Sequence, residues 1–156
     1  MIFAQAVSAQ VINAQIVNIE DGDTLTVRSN KGQNITVRLS CIDAPEKNQE
    51  GGKEAYNRLN TLLPKGTSIK LYPAYKGLYE HQLLVVLVVF DNKNINLQMV
   101  QEGQAWVYEH YIGVGRCSTI VKELRQGQTT AQHQRIGLWS KNNPCPPWDY
   151  RKNQCK

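Results

Sequence analysis

Thr24-Leu25-Thr26-Val27-Arg28 and Asn34-Ile35-Thr36-Val37-Arg38-Leu39-Ser40-Cys41 stand on either side of Asn30-Lys31-Gly32. In the first segment Leu25 and Val27 alternate with polar neighbours. In the second, Ile35, Val37 and Leu39 do the same. A period of two puts apolar side chains on one face of an extended chain, the mark of a half-buried strand. Asn-Lys-Gly between them is turn chemistry, so the pair reads as a hairpin. Working outward, residues 11–19 mix Val, Ile and Asn as a further half-buried strand, and Asp21-Gly22-Asp23 supplies its turn. Three strands at this spacing predict an antiparallel meander.

Pro45 has no amide donor and ends the third strand. Gly51-Gly52 precedes a helical pattern over residues 53–63, with Ala55, Leu59, Leu62 and Leu63 able to share a face. Pro64-Lys65-Gly66 breaks that helix. Residues 67–72, with Ile69 and Leu71 pointing one way, and residues 83–90 read as two more strands. A short helix over 95–102 ends at Gly103. A longer polar helix, weakened by Gly127, covers 119–133, and Gly137-Leu138-Trp139 closes it. Residues 142–156 read as an irregular, Pro-rich tail. Five strands with a helix after the third predict an α+β fold, a five-stranded OB-type β-barrel with about three packed α-helices. One domain is expected, with residues 1–10 as a leader, 11–141 as the barrel and 142–156 as its tail.

At 156 residues the chain is long enough to bury a core without staples. Its formal net charge of +5 favours polyanionic partners. No run is long enough to span a membrane, and the expectation is a monomer without membrane contact. Val7-Ser8-Ala9 has the small-x-small spacing of a signal-peptidase site, although no basic segment or full apolar run precedes it. A trimmed secretory signal, and hence a secreted or periplasmic protein, stands beside a short disordered leader. The four cysteines, Cys41, Cys117, Cys145 and Cys155, allow three pairings. None is spaced for a zinc knuckle. Disulfides fit an exported chain. Pairing Cys145 with Cys155 would loop the tail and leave Cys41 for Cys117. Free thiols are the alternative.

The chemistry concentrates in two acidic corners. Asp23 follows the first turn, and Ile42-Asp43-Ala44-Pro45-Glu46 follows the strand that carries Arg38. A meander can bring Asp23 and Asp43 side by side. Two carboxylates and a backbone carbonyl are a sensible start for calcium, which takes six to eight oxygens. The guanidinium fork of Arg38 matches two phosphate oxygens. Carboxylates alone would repel a nucleic acid. Carboxylates holding a hard cation beside an arginine would attract and polarise one. Each acid also has a plainer reading as turn chemistry.

Asp21-Gly22-Asp23-Thr24, then Arg38-Leu39 with Ile42-Asp43-Ala44-Pro45-Glu46, then Asn96-Leu97, Glu102-Gly103 and Ala105-Trp106-Val107-Tyr108, and lastly Arg135-Ile136-Gly137-Leu138-Trp139-Ser140 occur in that order. The ordered set resembles the staphylococcal-nuclease-like, or thermonuclease, family over residues 11–151. The tail Pro146-Pro147-Trp148-Asp149-Tyr150-Arg151 resembles tails of its exported bacterial members. The resemblance implies that Asp23, Asp43 and the Ala44 carbonyl bind Ca2+. It implies that Glu46 orients or deprotonates the attacking water, and that Arg38 grips the scissile phosphate.

One departure matters. Many members carry Tyr-Gly-Arg at the start of the fifth strand, where this chain has Tyr79-Glu80-His81. His81 thus falls where a second arginine is expected. Histidine is mostly neutral at pH 7 unless an anion favours its charged form. Either His81 acts as a pH-dependent cation or general acid, or Lys76 swings in, or the chain is a weak or dead nuclease that retains the barrel. Tyr79, Tyr108 and Tyr111 are candidates for stacking on a flexible nucleotide. Packing against the barrel is an equal reading for Tyr108 and Tyr111.

The resulting expectation is a calcium-dependent, sugar-nonspecific endonuclease that cleaves DNA and RNA, preferring flexible or single-stranded regions, to 3′-phosphate products. The alternative is a catalytically weak or inactive barrel that binds nucleic acid. A weaker third reading is a protein-interaction barrel whose charge serves solubility.

Overall fold

The computed structural model describes residues 10–74 and 83–155. Ile12–Ile19 (β1), Thr24–Ser29 (β2) and Asn34–Leu39 (β3) form the expected meander. Ser68–Pro73 (β5) pairs with β1, and Leu84–Phe90 (β6) pairs with β5. The sheet closes because β6 also pairs with β3, in parallel. The result is a five-stranded mixed barrel. Ile42–Asp43 (β4) and Lys93–Asn94 (β7) are two-residue additions, as is Trp106–Val107 (β8). The helices are Gly52–Leu62 (α1), Ile95–Gln101 (α2) and Val121–Gln134 (α3).

Hydrophobic alternation sets which way each strand faces. Leu25, Val27, Val37, Leu39, Ile69 and Leu71 all point into the core. In β1 the buried positions run Ala14, Ile16, Ile19, which breaks strict alternation. A register shift between Ile16 and Asn18 against β2 restores it: the extra residue of a bulge turns Ile19 inward. Strand β6 buries Val86, Leu87 and Val88 consecutively, because α2 packs against it as well.

A buried Asn96 fastens α2 to the barrel seam. Its amide donates to the carbonyls of Ser40 and Val86, both at 2.9 Å, and its oxygen accepts from the Val88 amide at 3.0 Å. Every polar atom of the side chain is thereby satisfied in the interior.

Two expectations change. The third strand stops at Leu39, since Cys41 turns the chain with a left-handed φ of 71°. The tail is not wholly irregular. Pro147–Arg151 forms a short helix (α4), with proline in the first turn where no amide partner is needed. Cys41 lies against Cys117 and Cys145 against Cys155, each pair at disulfide distance, with Cα separations of 5.5 and 5.9 Å. The expected leader, residues 1–10, lies outside the described residues except for Gln10.

Candidate active site

The Asp21-Gly22-Asp23 turn reaches the site because Gly22 has no side chain. A Cβ there would lie 2.6 Å from the Ala55 Cβ and 2.8 Å from the Ala44 Cβ. The turn therefore rests directly on α1 and on the segment that follows Asp43. The Asp21 carboxylate accepts the Asp23 amide at 3.0 Å and holds the turn closed. The Asp23 carbonyl accepts from the Leu39 amide at 2.8 Å, so Asp23 is tied to β3 by its backbone.

Arg38 is paired across the ladder with Thr24, next to Asp23. Asp43 is placed by the β4–β8 ladder, opposite Trp106. These backbone registers bring three residues from separate strands and turns to one point. Arg38 Nη1 lies 3.3 Å from Asp23 Oδ1, and Nη2 lies 3.0 Å from Asp43 Oδ1. Asp23 Oδ2 accepts the Ala44 amide at 2.7 Å, and Oδ1 also accepts from Thr24 Oγ1 at 3.1 Å. Both aspartates are buried.

Burial dominates the electrostatics here. It pushes the Asp23 carboxyl up to about 7, against the pull of Arg38. Asp21 and Asp43 add to the rise, and the Ala44 amide opposes it. The charge on Asp23 in turn raises the affinity of Arg38 for its proton.

Glu46 stands at the rim. Its amide donates to Gln49 Oε1 at 3.0 Å, and its carbonyl accepts the Gln49 amide at 2.9 Å. Gly52 packs so close beneath the Glu46 carbonyl that a Cβ there would overlap it. The same buried Gln49 donates to the Cys145 carbonyl at 2.6 Å. One side chain thus links the Glu46 loop to the C-terminal tail.

That tail delivers a residue absent from the sequence-based site. Arg151 Nη2 lies 2.7 Å from Asp43 Oδ2, and Nη1 lies 3.1 Å from Asp43 Oδ1 and 2.6 Å from Glu46 Oε1. These hydrogen bonds, those to Asp43 first, raise its proton affinity. Trp148 stacks on Tyr108 with ring centroids 5.8 Å apart, and Tyr108 meets Tyr111 edge-on at 5.5 Å. The tyrosines therefore form a half-exposed aromatic cluster beside the tail. The only local signal for Arg151 is the quoted tail motif, which names no role. Gln49 has no sequence signal.

The structure thus brings together Asp23, Arg38, Asp43, Ala44 and Glu46. Lys76, Tyr79 and His81 lie outside the described residues. Among the described residues no group of three or more His, Cys, Asp or Glu is arranged for a metal. The expected ion would rest on two carboxylates and a carbonyl. A cavity of about 240 Å³ between α1 and residues 137–145 is lined by neither Arg38 nor Asp43.

The profile of the family described as staphylococcal nuclease homologue matches residues 36–141. An uncharacterized endonuclease of Haemophilus influenzae is 38% identical over 136 residues, covering 87% of this chain and 71% of that protein. A micrococcal nuclease of Shigella flexneri is 36% identical over 141 residues, covering 86% and 77%. An uncharacterized endonuclease of Escherichia coli O157:H7 is 34% identical, covering 84% and 79%.

Proposed function

Since the chain belongs to the staphylococcal nuclease homologues, we propose that it is a calcium-dependent endonuclease that hydrolyses phosphodiesters of DNA and RNA. Flexible or single-stranded regions are its preferred substrates and 3′-phosphates its products. The observation that carries this reading is the meeting of Asp23 and Asp43 on one guanidinium, with Glu46 beside them.

Two buried carboxylates aimed at a common positive partner fit a hard divalent cation, whose preferred donors are oxygens. Asp23, Asp43 and the Ala44 carbonyl would hold it, in exchange for contacts that Arg38 and Arg151 make with the Asp43 oxygens. When bound, it supplies Lewis-acid stabilisation of the phosphoryl oxygens. Arg38, anchored by both aspartates, presents its fork to the scissile phosphate and stabilises the charge that builds there. Glu46, at the rim beside Asp43, would take the proton of the attacking water. Gln49 fixes the Glu46 backbone so that the carboxylate keeps its position. His81, Lys76 and Tyr79 would border the same phosphate, and Tyr108 and Tyr111 would stack on a neighbouring base.

The two cysteine pairs support an oxidising destination, secreted or periplasmic. Among the described residues no helix is long and apolar enough to cross a membrane. Monomeric action is part of the same proposal.

A supercoiled-plasmid nicking assay tests the function. Nicking is expected with calcium, none with EDTA, and a loss of at least about 100-fold in Glu46→Ala. Salt-dependent binding without any cutting would replace the enzyme by a nucleic-acid-binding barrel.

A further inference from the structure

Arg151 lies ten residues past the part of the chain that the family profile matches, yet several separate contacts hold it over the carboxylates. Pro147 is buried. Trp148 packs on Tyr108 and edge-on against Trp106, at 5.8 and 6.3 Å between ring centroids. Gln49 bonds the Cys145 carbonyl, and Cys145 lies against Cys155. A tail fastened at both ends of its helix is a built part of the site.

The charge arrangement is specific. Asp43 Oδ1 accepts from both Arg38 and Arg151, at 3.0 and 3.1 Å. Two like charges meeting at one oxygen repel each other. One arginine would be enough to neutralise Asp43. Both side chains are also partly exposed, at 28% and 39%. Arg151 uses three donor contacts on carboxylates, from a fork that carries five N–H groups. Two converging forks with donors to spare suit a tetrahedral oxyanion.

We propose that Arg151 is a phosphate-binding residue of this centre, a second guanidinium carried in by the tail to share the substrate phosphate with Arg38. The inference rests on the nuclease reading above and names a further contact within it. The Cys145–Cys155 pair and Gln49 position it.

The test uses the full chain with Arg151→Ala, Arg151→Lys and the double variant Cys145→Ser/Cys155→Ser, each checked by thermal melting. Cleavage of a single-stranded thymidine oligonucleotide in calcium gives kcat and KM. Binding of the same oligonucleotide in EDTA across a salt series counts phosphate contacts. Arg151→Ala is expected to lower kcat/KM about 100-fold, mostly in kcat, with partial recovery in Arg151→Lys. The slope of log affinity against log salt should shrink by about 0.7. The double variant should lose activity in the same direction although Arg151 is intact.

Unchanged cleavage in Arg151→Ala overturns the proposal whatever the slope does. Faster cleavage also overturns it and makes the tail an inhibitory strap. A double variant as active as wild type overturns the positioning by the cysteine pair. If wild type cuts nothing, the nuclease reading fails, and the salt slope alone judges Arg151. A reduced slope then keeps it as a phosphate contact, and an unchanged slope rejects it.

Discussion

Asp23 and Asp43, at the floor of the site, have side chains 4% and 1% exposed, whereas Glu46 and Arg151 at its rim stand 36% and 39% exposed. The floor is positioned by backbone ladders: β2 against β3, and β4 against β8. The rim is positioned by side chains and a cysteine pair: Gln49, Trp148 and Cys145 with Cys155. A residue fixed by a ladder moves only if the barrel moves. A residue fixed by side-chain fasteners can be released while the barrel stays folded. Changes at the floor should therefore cost stability and activity together, and changes at the rim should separate the two.

The floor gives the sharpest test. Arg38→Ala should lower calcium-dependent cleavage by about 10³-fold or more, because a preorganised positive group at the phosphate is lost. It also leaves Asp23 without its cationic partner, so denaturant unfolding should show a loss of roughly 2 kcal/mol. Glu46→Gln, at the rim, should match the loss of cleavage with an unfolding midpoint close to wild type. Equal destabilisation by both variants would erase the distinction between floor and rim.

The two cysteine pairs extend the comparison. Cys41 and Cys117 are 76 residues apart, Cys145 and Cys155 only 10. Loop-closure entropy predicts about 4.5 kcal/mol for the first crosslink and about 2.8 for the second. Cys41→Ala/Cys117→Ala should therefore lower the unfolding free energy more than Cys145→Ser/Cys155→Ser, as read in matched denaturant curves. A larger effect from the tail pair would mean that the tail is part of the cooperative core.

Gly22→Ala probes the contact beneath the floor. The added Cβ meets Ala55 and Ala44 at well under van der Waals distance. Overpacking of this kind costs about 1–3 kcal/mol. The Asp21–Asp23 turn would lift away from Ala44, and calcium affinity in a titration should fall with stability.

The pH profile tests the electrostatics of the floor. Asp23 holds its proton up to about pH 7 when folded, compared with an ordinary value of 3.8. The folded state then binds more protons than the unfolded one between these values. Stability without a divalent ion should decline as pH rises from about 4 to 7 and level off above. Calcium competes with that proton, so its stabilising effect on the melting temperature should be greater at pH 8 than at pH 5.5. Asp23→Asn should flatten the slope. A variant with the wild-type slope would remove Asp23 as its origin.

Much of the floor was legible in the sequence. Alternation of Leu25, Val27, Val37 and Leu39 dictates which faces are buried, and that places Arg38 and the turn acids at one end of the hairpin. These are local patterns of period two, and the physics that enforces them acts between neighbours along a strand. The bulge at residues 16–18 was not legible, because Ile16, Val17 and Ile19 are all apolar and leave open which of them faces inward.

The sequence by itself determined the strands, their inward faces and the acidic corners flanking Arg38, since each follows from short-range alternation and turn chemistry. Tertiary structure alone decided that Arg151 meets Asp43 across 108 residues, that Asn96 locks α2 to the barrel seam, and that Gln49 joins the Glu46 loop to the tail. Such contacts depend on where the chain returns after closing the barrel. A lone arginine, asparagine or glutamine carries no periodic signal of the partner it will find.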